Sequence, residues 1–146
     1  MIAVIEFAGK LPRLPRLPRH SQLTRWFWQG LDEGLFQTTR CADCGRLSFP
    51  PRPDCPDCLS EQTEWQILPT GGTLYARTRI HVVPEAFIDV GPLDVGVIDL
   101  DAGLRLLCWL VENAQTAPLD SRLELVALRH ANGTVIGARR VVNENA

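Results

Sequence analysis

Nowhere does this sequence approach the ~18–20 consecutive apolar residues that a membrane span requires, and its first eight residues carry neither a basic leader nor an apolar run long enough for a secretory signal. A cytoplasmic protein is expected. Also missing is any surplus of charge. Residues 1–65 carry eight Lys/Arg against eight Asp/Glu, and residues 66–146 carry seven against nine. Neither half has the basic footprint of a phosphate-binding surface, so nucleic acid is not the expected partner. The sequence contains no GxSxG, no HExxH, no GxxxxGK[ST] and no dinucleotide fingerprint after a strand. Its three histidines, His20, His81 and His130, stand far apart with no evident catalytic companions.

What is present suits a folded chain. Hydrophobic residues make up 45% and charged residues 22% of the 146, too apolar for general disorder and enough for one ordinary domain or two small ones. Four of the five cysteines form two CxxC pairs, Cys41-Ala-Asp-Cys44 and Cys55-Pro-Asp-Cys58. In a reducing compartment such pairs read as metal ligands before they read as disulfides. The two residues inside each pair turn the backbone so that both sulfurs face one ion, and Gly45 eases the first turn. Zinc on Cys41, Cys44, Cys55 and Cys58 is the expectation, with iron on the same set or redox-active pairs as the alternatives. A site with four protein sulfurs leaves no position for a reactive water, so the metal is expected to be structural.

Around this centre the texture changes three times. Residues 1–20 are expected to form an extended arm, because Leu-Pro-Arg repeats three times over residues 11–19 and proline at every third position favours polyproline II. Either it is solvated or it docks on a partner; residues 1–9 before it are an irregular start or a strand that pairs elsewhere. Residues 21–65 are expected to hold a short amphipathic helix and the metal module. Ser21 can cap the helix, Leu23, Trp26, Phe27, Gly30 and Leu31 fall at helical spacing, and Gly34 can end it. Pro50, Pro51, Pro53 and Pro56 leave the module loop-rich.

Residues 66–146 read as strands. Along 73–81, Leu74, Ala76, Thr78 and Ile80 alternate with Thr73, Tyr75, Arg77, Arg79 and His81, which predicts one core face and one wet face. Residues 95–100 and 104–111 form a hairpin across Asp101-Ala-Gly103, and 123–129 and 135–142 form another across Asn132-Gly133. Five strands suit a small closed barrel of the OB type, with an open five-stranded sheet as the fallback. Cys108 is in phase with Leu104, Leu106 and Leu110, as an inert core thiol would be. Arg77, Arg79 and His81 share the polar face, either as a solvated strand edge or as a patch for the phosphates of a coenzyme.

Together, Trp26-Phe-Trp-Gln-Gly30, Thr39-Arg-Cys-Ala-Asp-Cys-Gly-Arg46, Phe49-Pro-Pro-Arg-Pro-Asp-Cys-Pro-Asp-Cys58 and Gly72-Thr-Leu-Tyr75 resemble the zinc-ribbon plus OB-fold family known as domain-of-unknown-function thirty-five. The likeness covers about residues 21–142, and the Leu-Pro-Arg repeat and first nine residues depart from it. It implies a mainly β fold: an N-terminal helix, a rubredoxin-like zinc ribbon and a five-stranded OB barrel. It also implies a non-catalytic accessory subunit that binds acyl-CoA or shapes the substrate channel, in a hetero-oligomer with a thiolase-fold or aldolase-type partner that carries the catalytic groups. Carried over by position, the four cysteines match the family's metal ligands, Arg52 matches the arginine of the Phe-Pro-Pro-Arg segment, and His81 falls at a strand-end histidine. Arg52, Arg77, Arg79 and His81 are thus the candidate acyl-CoA contacts. Two other readings compete: a nucleic-acid-binding ribbon and barrel, and an enzyme acting alone through Cys108 or His81.

Overall fold

Alternation of apolar and polar residues shapes the C-terminal half of the computed structural model, which describes residues 1–6, 14 and 18–141. Strands β5 (Gly71–Ile80), β6 (Leu93–Leu100) and β7 (Arg105–Leu110) form an antiparallel meander, and β8 (Arg122–His130) and β9 (Gly133–Arg140) form a hairpin. β9 pairs in parallel with β7 at Trp109↔Gly137 and Leu110↔Ala138, and β8 pairs with β5 at Gly71↔Glu124 through Thr73↔Arg122. These two contacts close five strands into a barrel with OB topology. Close approach is needed where strands cross: a Cβ on Gly137 would sit 2.7 Å from the Leu128 side chain.

β1 (Ala3–Glu6) adds a sixth strand, the pairing that residues 1–9 left open. It runs parallel to β8 from Ala3↔Val126 to Glu6↔Arg129, occupying the edge that β5 has already left. An ion pair from Arg129 to Glu6 at 3.0 Å fastens its end. Most of the Leu-Pro-Arg repeat, and with it the polyproline expectation, lies outside the described residues.

Helix α1 (Thr24–Asp32) begins three residues after the expected cap, yet Ser21 still serves it. The Ser21 amide donates to Thr24 Oγ1 at 2.8 Å and the Thr24 amide donates back to Ser21 Oγ at 3.1 Å, a reciprocal cap built from two hydroxyls. Gly34, at φ +82, ends the helix in the left-handed conformation. The buried stripe is Phe27, Gly30 and Leu31. Trp26, expected on that stripe, is 62% exposed, because Phe27 and not Trp26 lies one turn before Leu31.

Helix and barrel share one core. Phe27, Leu31, Phe36 and Leu68 belong to the same apolar cluster as Leu74, Ile98, Leu123 and Leu125, and Phe49 and Trp65 pack against it. The ribbon is more regular than its prolines suggest: β2 (Gln37–Cys41) pairs with β3 (Leu47–Ser48) on one side and β4 (Thr63–Ile67) on the other. Among the described residues no helix is long and apolar enough to cross a membrane.

The expected core face of β5 holds only at its start. Leu74 is buried, but Thr78 and Ile80 are exposed. A register shift between Leu74 and Ala76 displaces the alternation, and beyond Thr73 the strand has β6 as its only ladder partner among the described residues.

Candidate functional site

Two knuckles with the same hydrogen bonds build the sulfur centre. In the first, the Cys41 amide donates to Arg46 O at 2.9 Å and the Gly45 amide to Cys41 O at 2.9 Å. In the second, the Cys55 amide donates to Ser60 O at 2.9 Å and the Leu59 amide to Cys55 O at 3.0 Å. The fifth residue of each turn has left-handed backbone, Gly45 at φ +80 and Leu59 at φ 62. Gly45 was legible as a turn residue. Leu59, in the same role, was not, because leucine gives no signal for positive φ. An ion pair from Arg46 to Asp57 and a hydrogen bond from Ser60 Oγ to Asp43 tie the knuckles together.

The four sulfurs lie within 4.8 Å of one another. Two contacts of 3.5 Å, Cys41–Cys58 and Cys44–Cys55, run between the knuckles and not within either CxxC. Tetrahedral zinc with Zn–S bonds of about 2.3 Å needs sulfurs roughly 3.8 Å apart, so this donor set fits the ion. Amide groups already face the sulfurs, Cys44 N–H to Cys41 Sγ at 3.4 Å and Asp57 N–H to Cys55 Sγ at 3.4 Å.

The thiols split in their acidity. The Cys44 amide, against some desolvation, draws Cys41 down to about 7, and the Cys58 amide lowers Cys55 in the same way. For Cys58 the Ser60 amide pulls down, but the neighbouring Cys41 sulfur and desolvation push harder and carry it up to about 12. Cys44 also rises: the Arg46 amide pulls it down, and the Cys55 sulfur with desolvation outweighs that pull. Each thiolate formed makes its neighbours harder to ionise, and a divalent cation at the centre reverses that order by favouring all four thiolates. A metal held by these four protein sulfurs would be structural, with no open position for chemistry.

Between α1, the Phe49-Pro50-Pro51 turn and the barrel lies an apolar cleft of about 610 Å³. Phe27 anchors one wall, edge-on to Trp28 at 5.0 Å and to Phe49 at 5.6 Å. Phe87 and Trp109, 5.8 Å apart, line the opposite wall, with Ile80 and Leu107 beside them. Leu107 is 69% exposed, so an apolar side chain stands in the mouth of the cleft. Among the described residues, Arg19 is the one cationic residue in its lining.

The expected ligand contacts do not converge on one pocket. Arg77 donates to Gln115 O at 3.1 Å, and Arg79 pairs with Asp94 at 2.9 Å. Arg52 is exposed, 3.6 Å from Asp54, and its amide is held by Thr39 Oγ1 at 2.9 Å. His81 is exposed just past the end of β5. Three of these residues, Arg52, Arg79 and His81, flank the cleft through their chain neighbours, since Pro51 and Ile80 both line it. The cleft itself was missed. Its signals were the aromatic run Trp26-Phe-Trp28 and the Phe49-Pro-Pro51 turn, which only tertiary contact brings opposite the barrel. Cys108 lies in the same wall, but burial pushes its thiol up to about 12, which disfavours the thiolate a nucleophile needs.

Residues 28–64 match the family model described as the ChsH2 rubredoxin-like zinc ribbon domain, and residues 65–128 match the ChsH2 C-terminal OB-fold domain. A DUF35 domain-containing scaffold protein of Methanocaldococcus jannaschii is 32% identical over 50% of this chain and 52% of its own length. Benzoylsuccinyl-CoA thiolase subunit BbsA of Thauera aromatica is 33% identical over 59% of this chain and 58% of its own. The matched stretches thus span only about half of each of these two relatives. Among solved structures, the chain titled Ltp2-ChsH2(DUF35) aldolase superposes with a TM-score of 0.75 at 24% identity, covering 86% of this chain and 100% of that one, a likeness of fold.

Proposed function

Since the chain belongs to the ChsH2-type family of a rubredoxin-like zinc ribbon followed by an OB-fold domain, we propose that it is a non-catalytic accessory subunit of a thiolase-like or aldolase-like acyl-CoA enzyme. The observation that carries the reading is the apolar cleft with Leu107 and Ile80 at its mouth, a surface that water disfavours and a partner or acyl chain would cover. Relatives named as a thiolase subunit and as scaffold proteins support the same role. The ribbon holds the Phe49-Pro-Pro51 wall in place, so the metal acts on function through shape. Arg19, Arg52, Arg77, Arg79 and His81 are the groups proposed to meet the phosphates of the coenzyme.

Base stacking is a poorer account of the barrel. Arg105 lies over the Tyr75 ring at 3.8 Å, and Phe87 and Trp109 face each other within the cleft, so none of the three is a free platform.

The test is to purify the tagged chain gently from its native cells and identify by mass spectrometry what co-elutes in stoichiometric amount. A thiolase-fold protein is expected, and Leu107→Glu should remove it while the metal stays bound. Nucleic acid that survives moderate salt, with no such protein, would overturn the reading. Coenzyme contact is checked by calorimetric titration of acyl-CoA into the complex and into the chain alone.

A further inference from the structure

Apart from Arg19, the Leu-Pro-Arg repeat has no place in the function above, yet one of its leucines is firmly held. Leu14 is 7% exposed, and both of its backbone polar groups meet one side chain. Its amide donates to Asn132 Oδ1 at 2.7 Å, and Asn132 Nδ2 donates to its carbonyl at 2.9 Å. A single carboxamide therefore reads the residue as a neighbouring β-strand would, and the leucine side chain takes part in an apolar pocket of about 310 Å³ with Ile5, Trp109, Val111, Leu128 and Val135. Farther along the arm, His20 stacks on Trp28 at 5.5 Å, and Pro18 and His20 border a second hollow with Asn132 and Thr134. Two separate contacts thus place Leu14 on one hand and Pro18 and His20 on the other beside the β8–β9 turn.

We infer that Asn132 and the apolar pocket beside it form a binding site for an extended Leu-Pro segment, with Leu14 as its intrachain occupant. The chemistry selects this dipeptide. Proline holds the preceding leucine in the extended region, where its N–H and C=O can both reach one amide, and proline has no N–H of its own to leave unpaired. Proline also restricts the free peptide, which lowers the entropy that docking of such a dipeptide loses. Leu11 and Leu17 are followed by proline as well, so each carries the same recognition element. Reach permits exchange: Glu6 pairs with Arg129, so Asn132 lies roughly 10 Å farther along, and five residues of extended chain span up to about 17 Å. The site is independent of any partner enzyme.

Trypsin tests it on the full chain, because Lys10, Arg13 and Arg16 each precede one of the three leucines. With each bond followed by mass spectrometry, Arg13–Leu14 should be cut about tenfold more slowly than the other two, as expected when release must precede cleavage. Asn132→Ala should level the three rates. Leu14→Ala, which alters only the arm, should move the slow bond to Lys10–Leu11 or Arg16–Leu17. Equal rates at all three bonds in the unaltered protein, or a pattern unchanged in Asn132→Ala, would overturn the site. Three equal rates in Leu14→Ala would overturn the interchange of leucines. Protection that disappears on dilution would mean that a second copy supplies the arm, against the intrachain assignment.

Discussion

From Gln37 to Ile67 the chain folds around sulfur, with strands of two to five residues and two left-handed turns, whereas from Gly71 to Arg140 it folds around an extensive apolar interior. The ribbon has no apolar cluster of its own among the described residues: Leu47, Phe49 and Trp65 pack on the core shared by helix and barrel. One region is thus held by a few strong bonds to a metal and the other by many weak contacts. A single lost ligand should be decisive in the first, while a single lost side chain should be graded in the second.

The largest contrast is expected from Cys55→Ser. Structural zinc contributes about 10–16 kcal/mol in small ribbon-like peptides, so losing one of the four sulfurs should release the ion and open both knuckles. Elemental analysis should fall from one zinc per chain toward none while the far-UV signal of the barrel persists. If the barrel melts with the ribbon, the two regions are one cooperative unit and the comparison fails.

Leu74→Ala probes the other side. Leu74 is 0% exposed in the shared core, and such truncations cost about 2–5 kcal/mol. Thermal unfolding should shift down accordingly with the zinc content unchanged below the transition.

A smaller effect of opposite sign should come from Leu59→Gly. At φ 62 a leucine bears a steric cost of about 1–2 kcal/mol that glycine avoids, so the variant should hold zinc more tightly against a chelator. An equal change from Leu59→Ala would mean that side-chain exposure, not backbone strain, was relieved.

The smallest effect is expected at the rim of the barrel, where Arg122 grips Asp101 at 2.6 Å with both side chains about half exposed. The Arg122 hydrogen bond lowers the Asp101 carboxyl below its ordinary value. Stability from this pair is therefore present above the unfolded-state carboxylate value of about 3.9 and is lost as pH falls through the lower folded value. Arg122→Ala should lower the melting temperature slightly at pH 7, and its deficit should vanish in strong acid.

Local spacing carried much of this protein. The two CxxC pairs named the four sulfurs that the structure brings together, because a CxxC turn acts over four residues, within reach of local chain geometry. Both barrel hairpins were legible for the same reason, since their turns and alternation lie within a few residues. Cys108 was readable as a core thiol from its phase with Leu106 and Leu110, and the structure buries it. Trp26 misled, because a nine-residue helix leaves its stripe uncertain by one position until something packs on it.

By itself the sequence determined the four-cysteine cluster, the strand-rich character of the second half and the existence of a helix before the ribbon, all encoded at separations of a few residues. Tertiary structure alone decided the parallel pairing of β1 with β8, the fading of the β5 core face beyond its bulge, the left-handed turn at Leu59 and the clamp of Asn132 on Leu14. It also decided the cleft, whose walls come from residues 27 and 109 and from a ribbon turn between them in sequence. Contacts across such separations depend on how the barrel closes and which face of the helix it accepts, and no local pattern encodes that choice.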